Sequence, residues 1–347
     1  DDISPLRDFN TSMLSAEATM FSIKPAYWYV QSNRVGSQGD DQFVAKNPPF
    51  GANFTYFLPE KFQSLKDERK KREKKDDNNF PGWTALEKEN NQEGPNVFLL
   101  IKDNNGNMIN TIEGTNKKGF NRVNWKLDYP NKSGERLEVP ERRNSFRRGG
   151  VMVTPGIYTV TLVKRVDGIT TALQDSKEFK VIPMYDGALK RKSFEEINQF
   201  REEVFVFQQD LTATNMTLST SLKQINAMQR AANKASKPND NLFKKLNDAR
   251  IKLLAIEKSL SGDKIKGEIG ERSDPTPNNA RFIGIGALSN TYGPTGNHKG
   301  AVNRAKKQLS GIKAMLQNIT ENIIPQLEQE LKKAGAPWIE GQGLIKN

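Results

Sequence analysis

GFNRVNWKLDYPNKSGERLEVPERRNSFRRGGVMVTPGIYTVTLVKRV, residues 119–166, opens on Phe120, Val123 and Trp125 and closes on Ile157, Tyr158, Val160, Leu162 and Val163. A polar, arginine-rich excursion separates the two ends, so the stretch reads as two strands joined by a long loop. From Tyr158 to Val166 apolar and β-branched residues follow one another almost without a break, as in a strand buried within a two-sheet core. Val123, Trp125 and Leu127 alternate with Arg122, Asn124 and Lys126, and period-two patterning sends the tryptophan inward as the main aromatic anchor. Upstream, NVFLLIKDNNGNMINTIEG carries an apolar run, a turn at Asn105-Gly106 and a second short strand. That is a hairpin signal, because a two-residue turn with both φ angles positive favours Asn and Gly. Short strands between turn signals predict an immunoglobulin-like antiparallel β-sandwich, although the cysteine pair of antibody domains is absent.

Working outward, residues 1–15 read as a strand end and a turn, with Pro5 stopping any helix. Residues 16–50 read as an extended arm. It contains Tyr27, Trp28 and Tyr29, the polar stretch VGSQGDDQF, and Pro48-Pro49, whose polyproline geometry keeps it on a surface. The aromatic triplet is the candidate ligand or domain contact: ring faces stack on sugars, but aromatics on an arm more often pin it to a neighbouring domain. The sandwich occupies residues 51–186, with ANFTYFL as its first strand. A charged helix near residues 60–75 is inserted there and stands off the core, and a short helix after Trp83 returns the chain to the sheet. After Pro183 the period changes. Ser193 and Glu196 make a capping box, and Ile197, Phe200, Val204, Phe207, Leu211, Leu218, Ile225 and Met228 recur at helical spacing over about forty residues. A second helix carries Phe243, Leu246, Ala249, Leu253, Ile256 and Leu260 and stops at Gly262. A Gly-, Pro- and Asn-rich loop and the short apolar segment FIGIGAL lead to a last helix from Gly296 to Gly335, which Pro325 should kink. The expected fold is multidomain α+β: the sandwich, then a long-helix antiparallel three-helix bundle over residues 187–347.

Composition bounds the function. The chain has 347 residues, 35% apolar and 27% charged, with net charge +12 and no cysteine. Disulfides and thiol chemistry are excluded, and so is the commonest class of zinc ligand. No run approaches the roughly 20 apolar residues of a membrane helix, so the chain is not membrane-spanning. It begins DDISPLRDF, without Met, as a mature chain or a fragment would. The positive charge invites a nucleic-acid reading, but KDERKKREKKDD, residues 66–77, sets seven cations among five anions, which suits a solvated helix laced with i,i+4 pairs. The second basic cluster, Arg142, Arg143, Arg147 and Arg148, lies in a loop with one aromatic, Phe146. No recognition helix or stacking motif accompanies either, and no nucleic-acid partner is expected.

The residues offer little chemistry. The single histidine, His298, opens the last helix with neither a cysteine nor a second histidine beside it, so it reads as a surface residue rather than a metal ligand or triad member. Phosphate-binding glycine loops are absent. Gly284 and Gly286 read as helix-packing positions. Among 41 Asp and Glu residues carboxylate pairs arise by chance, and Asp128, the most tempting, reads as a turn residue. No catalytic, cofactor or metal residues are assigned.

DDISPLR, NPPFGANFTYFL, PGWTALEKE, KKGFNRVNWKLDYP, VTPGIYTVTLVKRVDG, YGPTGNHKGAV and LKKAGAPW, in this order, resemble the C-terminal part of large bacterial sortilin-like (Vps10-type) proteins. Those proteins, common in Bacteroidetes, carry an N-terminal many-bladed β-propeller with neuraminidase-type repeats and are often labelled glycosyl hydrolases. The resemblance covers nearly the whole chain. It implies that residues 1–15 hold the closing strand of a propeller that this chain lacks, and that any hydrolase activity resides in that propeller. Residues 119–166, with G-x-N-x-V-x-W and P-G-x-Y, are also similar to the sandwich module of flagellar hook-capping proteins. The family's catalytic residues have no matching positions here. The implied role is a noncatalytic accessory region at the cell surface, in the periplasm or secreted. Its partners would be the propeller of the same polypeptide and proteins of a cell-surface complex. The alternative is a share in a carbohydrate-processing site, with Tyr27, Trp28 and Tyr29 as its most plausible part.

Overall fold

The computed structural model describes residues 2–31, 47–75, 79–130, 132, 134, 135, 137, 151–237, 239–271 and 274–343. The arginine cluster at 142–148 and the stretch VGSQGDDQF lie outside the described residues. The chain divides into two compact units, Asp1–Asn131 with Asn144–Lys190, and Lys132–Arg143 with Arg191–Asn347.

The first unit contains α1 (Ser4–Asp8), a 3-10 turn (Thr11–Leu14), β1 (Thr19–Met20), β2 (Ala26–Trp28), β3 (Ala52–Leu58), α2 (Leu65–Glu73), α3 (Trp83–Asn91), β4 (Asn96–Asp103), β5 (Met108–Glu113), β6 (Gly119–Trp125), β7 (Gly156–Val166), β8 (Ile169–Ala172) and β9 (Lys177–Pro183). One sheet has the order β1-β3-β6; the other runs β2-β9-β7-β4-β5, with β8 paired to the far end of β7. All pairings are antiparallel except β2 with β9. The two sheets meet through rings. Phe54 of β3 meets Phe179 of β9 edge-on at 5.3 Å, and Trp125 of β6 meets Tyr158 of β7 and Phe179 at 5.6 and 6.0 Å. Trp125 is 1% exposed and faces inward as the alternation predicts; Val123 on the same face is half-buried, and Leu127 is buried but lies past the end of β6 with a positive φ, outside the strand's alternation.

Several expectations are corrected here. Pro5 does not stop a helix but opens one, because in the first turn its missing N–H has no intrahelical partner to lose. Part of the arm is not free: residues 19–20 and 26–28 are strands, one in each sheet, because Ala18, Met20, Phe21, Ala26 and Trp28 all bury there. The hairpin turn is longer than two residues. Gly106 alone has positive φ, its N–H bonds to Asp103 O at 3.0 Å, and the Asp103 carboxylate accepts from Asn105 and Asn107 N–H at 2.9 Å each. The aspartate takes over the turn-forming role expected of Asn105.

The second unit contains α4 (Phe194–Ala232), α5 (Asp240–Ser261), α6 (Lys264–Glu268), α7 (Pro277–Leu288), α8 (Gly296–Asn318), a π-turn (Ile319–Ile323) and α9 (Ile324–Lys333). Ser193 caps α4, its hydroxyl accepting from Glu196 N–H at 3.1 Å, and all eight apolar positions read from its period are buried. Three helices are too few, since the segment read as loop and FIGIGAL forms α7. Thr276 caps it and Pro277 starts it, and it lies against α4 and α8. Before Pro325 the last helix widens: Ile324 N–H bonds to Ile319 O, five residues back. Proline cannot donate and crowds the carbonyl four residues before it, and the π-turn absorbs both. The extra residue moves the inward position from Ile323 to Ile324, while Ile319, Leu327 and Leu331 remain buried.

Candidate functional site

Tyr27 and Trp28 of the aromatic triplet lie on β2, the edge strand of the larger sheet, with Tyr29 just past its end, and strand alternation divides them. Trp28 points inward. It is 4% exposed and its indole N–H donates to Val153 O at 2.7 Å. Tyr27 points outward at 55% exposure, level with Ile182 of β9 in the parallel register. Tyr29 follows on the outer face, half-buried, its ring edge-on to Phe50 at 5.0 Å. Beyond β9 the chain continues into Met184, which donates its N–H to Trp28 O and is itself exposed. The structure thus gathers Tyr27, Tyr29, Phe50, Ile182 and Met184 into an apolar strip along this edge, and takes Trp28 out of it. Three coplanar rings for sugar stacking are not available, because neighbouring residues of a strand face opposite ways. Ile182 and Met184 escaped sequence reasoning, since only the β2–β9 pairing places them beside the tyrosines.

The remaining candidates have structural duties. His298 closes a capping box: its Nδ1 accepts from Thr295 N–H at 3.1 Å, and its own N–H donates to Thr295 Oγ1 at 3.4 Å. The Asp128 carbonyl accepts from Trp125 Nε1 at 3.0 Å and from Asn110 Nδ2 at 2.9 Å, so this turn anchors the core. Asn121, the asparagine of G-x-N-x-V-x-W, is buried and fully engaged. Its Oδ1 accepts from the Thr115 hydroxyl, and its Nδ2 donates to Lys117 O and Gly119 O. That signature is therefore read as a folding device for the turn entering β6. Among the described residues no group of three or more His, Cys, Asp or Glu is placed to hold a metal ion. A shallow groove of about 180 Å³ between α4 and α8 is lined by Thr214, Thr217, Gln317 and Thr320. Its ionised residues, Asp210 and Lys313, pair with each other at 3.0 Å.

No family model matches the chain, and no curated protein matches it in sequence. Among solved structures it is similar to dimeric latent PorU from Porphyromonas gingivalis, at 14% identity over 38% of this chain, with a TM-score of 0.22. The matched part spans only 8% of that structure, and a likeness of this size carries no argument about fold or function.

Proposed function

We propose that the chain is a noncatalytic accessory region of an extracytoplasmic, sortilin-like protein. It buttresses a β-propeller of the same polypeptide and offers a protein-binding surface, with its first unit an immunoglobulin-like sandwich. The observation that carries the reading is the β2 edge, where exposed Tyr27 is in register with Ile182, Tyr29 meets Phe50 edge-on and exposed Met184 follows β9, apolar and aromatic residues of the kind found at the centre of a protein interface. Two features support the sandwich. The first strand is split, β1 pairing in one sheet and β2 running parallel to the last strand in the other. In addition, Tyr158, near the start of β7, donates its hydroxyl to Thr154 O at 2.6 Å, the arrangement of a tyrosine corner.

The test is titration of this chain with the propeller segment of its full-length polypeptide. We expect saturable binding that Tyr27→Lys and Met184→Lys weaken at least tenfold, about 1.4 kcal/mol, with an unchanged melt. Binding indifferent to both substitutions, or none at all, would remove the strip from the interface. Turnover of a glycoside panel by the purified chain, abolished by one carboxylate substitution, would overturn the noncatalytic reading.

A further inference from the structure

We propose that the tip of the α2–α3 excursion binds an anionic lipid surface. The excursion is an antiparallel helix pair tied at two levels. Leu65 N–H donates to Gln92 Oε1 at 2.8 Å, joining the start of α2 to the end of α3, and Arg69 holds Glu89 through two bonds of 2.7 and 2.9 Å. These ties leave the end of α2 and the start of α3 together at the far tip. There Lys70, Lys71, Arg72, Lys74 and Lys75 are all exposed, while Glu73, the acid among them, is held by Arg69. Across the tip Phe80 and Trp83 meet edge-on at 5.2 Å and remain 63% and 79% exposed. α2 has no buried residue and α3 none either, so neither ring is needed for a core. Two protruding aromatic rings beside five cations match the two halves of a membrane interface. Rings of this kind settle at headgroup depth, and each cation near an anionic leaflet contributes about fivefold to partitioning. Asp76 and Asp77 follow in sequence, and with Glu73 they leave an excess of two cations over residues 70–77. The charge therefore favours an anionic surface over a neutral one.

The experiment is co-sedimentation of the whole chain with vesicles of phosphatidylcholine alone and of phosphatidylcholine mixed with phosphatidylglycerol. Pelleting with the mixed vesicles only, reversed by high salt, is expected. Lys70→Glu with Lys71→Glu should lower partitioning more than about tenfold. Trp83→Ala and Phe80→Ala should lower it at an unchanged melting temperature. No pelleting with the mixed vesicles, equal pelleting with both kinds, or pelleting untouched by these substitutions would overturn the proposal. Binding to single-stranded oligothymidylate without binding to vesicles would also overturn it, because the tip would then be a polyanion site. The β2-edge strip is not used in this assay, so failure here leaves that reading standing.

Discussion

Replacing Trp125 with alanine tests the packing of the two sheets at its centre. The ring is 1% exposed and lies between Tyr158 and Phe179 of the opposite sheet. An indole this deep removes on the order of 200 Å² from water, worth about 5 kcal/mol at about 25 cal/mol per Å². Alanine keeps part of that area, while the two edge-to-face contacts are lost. The hydrogen bond adds little to the cost, because Asp128 O retains the Asn110 amide at 2.9 Å and is not stranded. The net expectation is about 3–5 kcal/mol, within the range for buried Trp→Ala changes. Calorimetry is the appropriate assay, because two compact units need not melt together. For a unit of this size the loss corresponds to a fall of roughly 6–20 °C in its transition. Trp125→Phe should cost clearly less. A shift under about 2 °C, accompanied by loss of polysaccharide retention, would show an exposed stacking ring and refute the argument.

Three further outcomes follow from particular contacts. The Lys24 ammonium, 2.8 Å from Asp2, and then the Ser4 N–H, lower the Asp2 carboxyl from 3.8 to about 2. The folded state thus favours the carboxylate, and its contribution is present above the ordinary value and lost as pH falls toward about 2. Carboxyl NMR should give that depressed midpoint and Lys24→Ala should return it toward 3.8; an ordinary midpoint in the parent chain would refute the pairing. Alanine at both Lys70 and Lys71, exposed on a helix without buried residues, should change unfolding free energy by less than about 0.5 kcal/mol; a loss several times larger would mean that α2 packs. Gly286→Ala enters open space on α7 and should stabilise by about 0.5–1 kcal/mol through helix propensity, whereas at Gly284 a Cβ would lie 3.2 Å from Val204 and 3.4 Å from Val302. Denaturant titrations should rank Gly284→Ala below Gly286→Ala, and the reverse order would show that the α7 contact is loose.

Local period made the helices legible. Ser193 and the three- and four-residue steps after it mark α4, because a helix writes its buried face into its own sequence. The alternation around Trp125 likewise gave its inward direction without reference to any partner strand. Turn and loop chemistry was less decisive. Pro5 and Pro277 begin helices where prolines had suggested breaks, since the same ring that ends a helix is tolerated in its first turn. The candidate site depended on tertiary pairing. Nothing local in Tyr27-Trp28-Tyr29 says which ring enters the core, and nothing links them to Ile182 and Met184, more than 150 residues away. Composition set the chain's charge, and period set its helical faces. Only the folded chain decided which strand lies beside which, because strand pairing is a long-range choice made by the whole core.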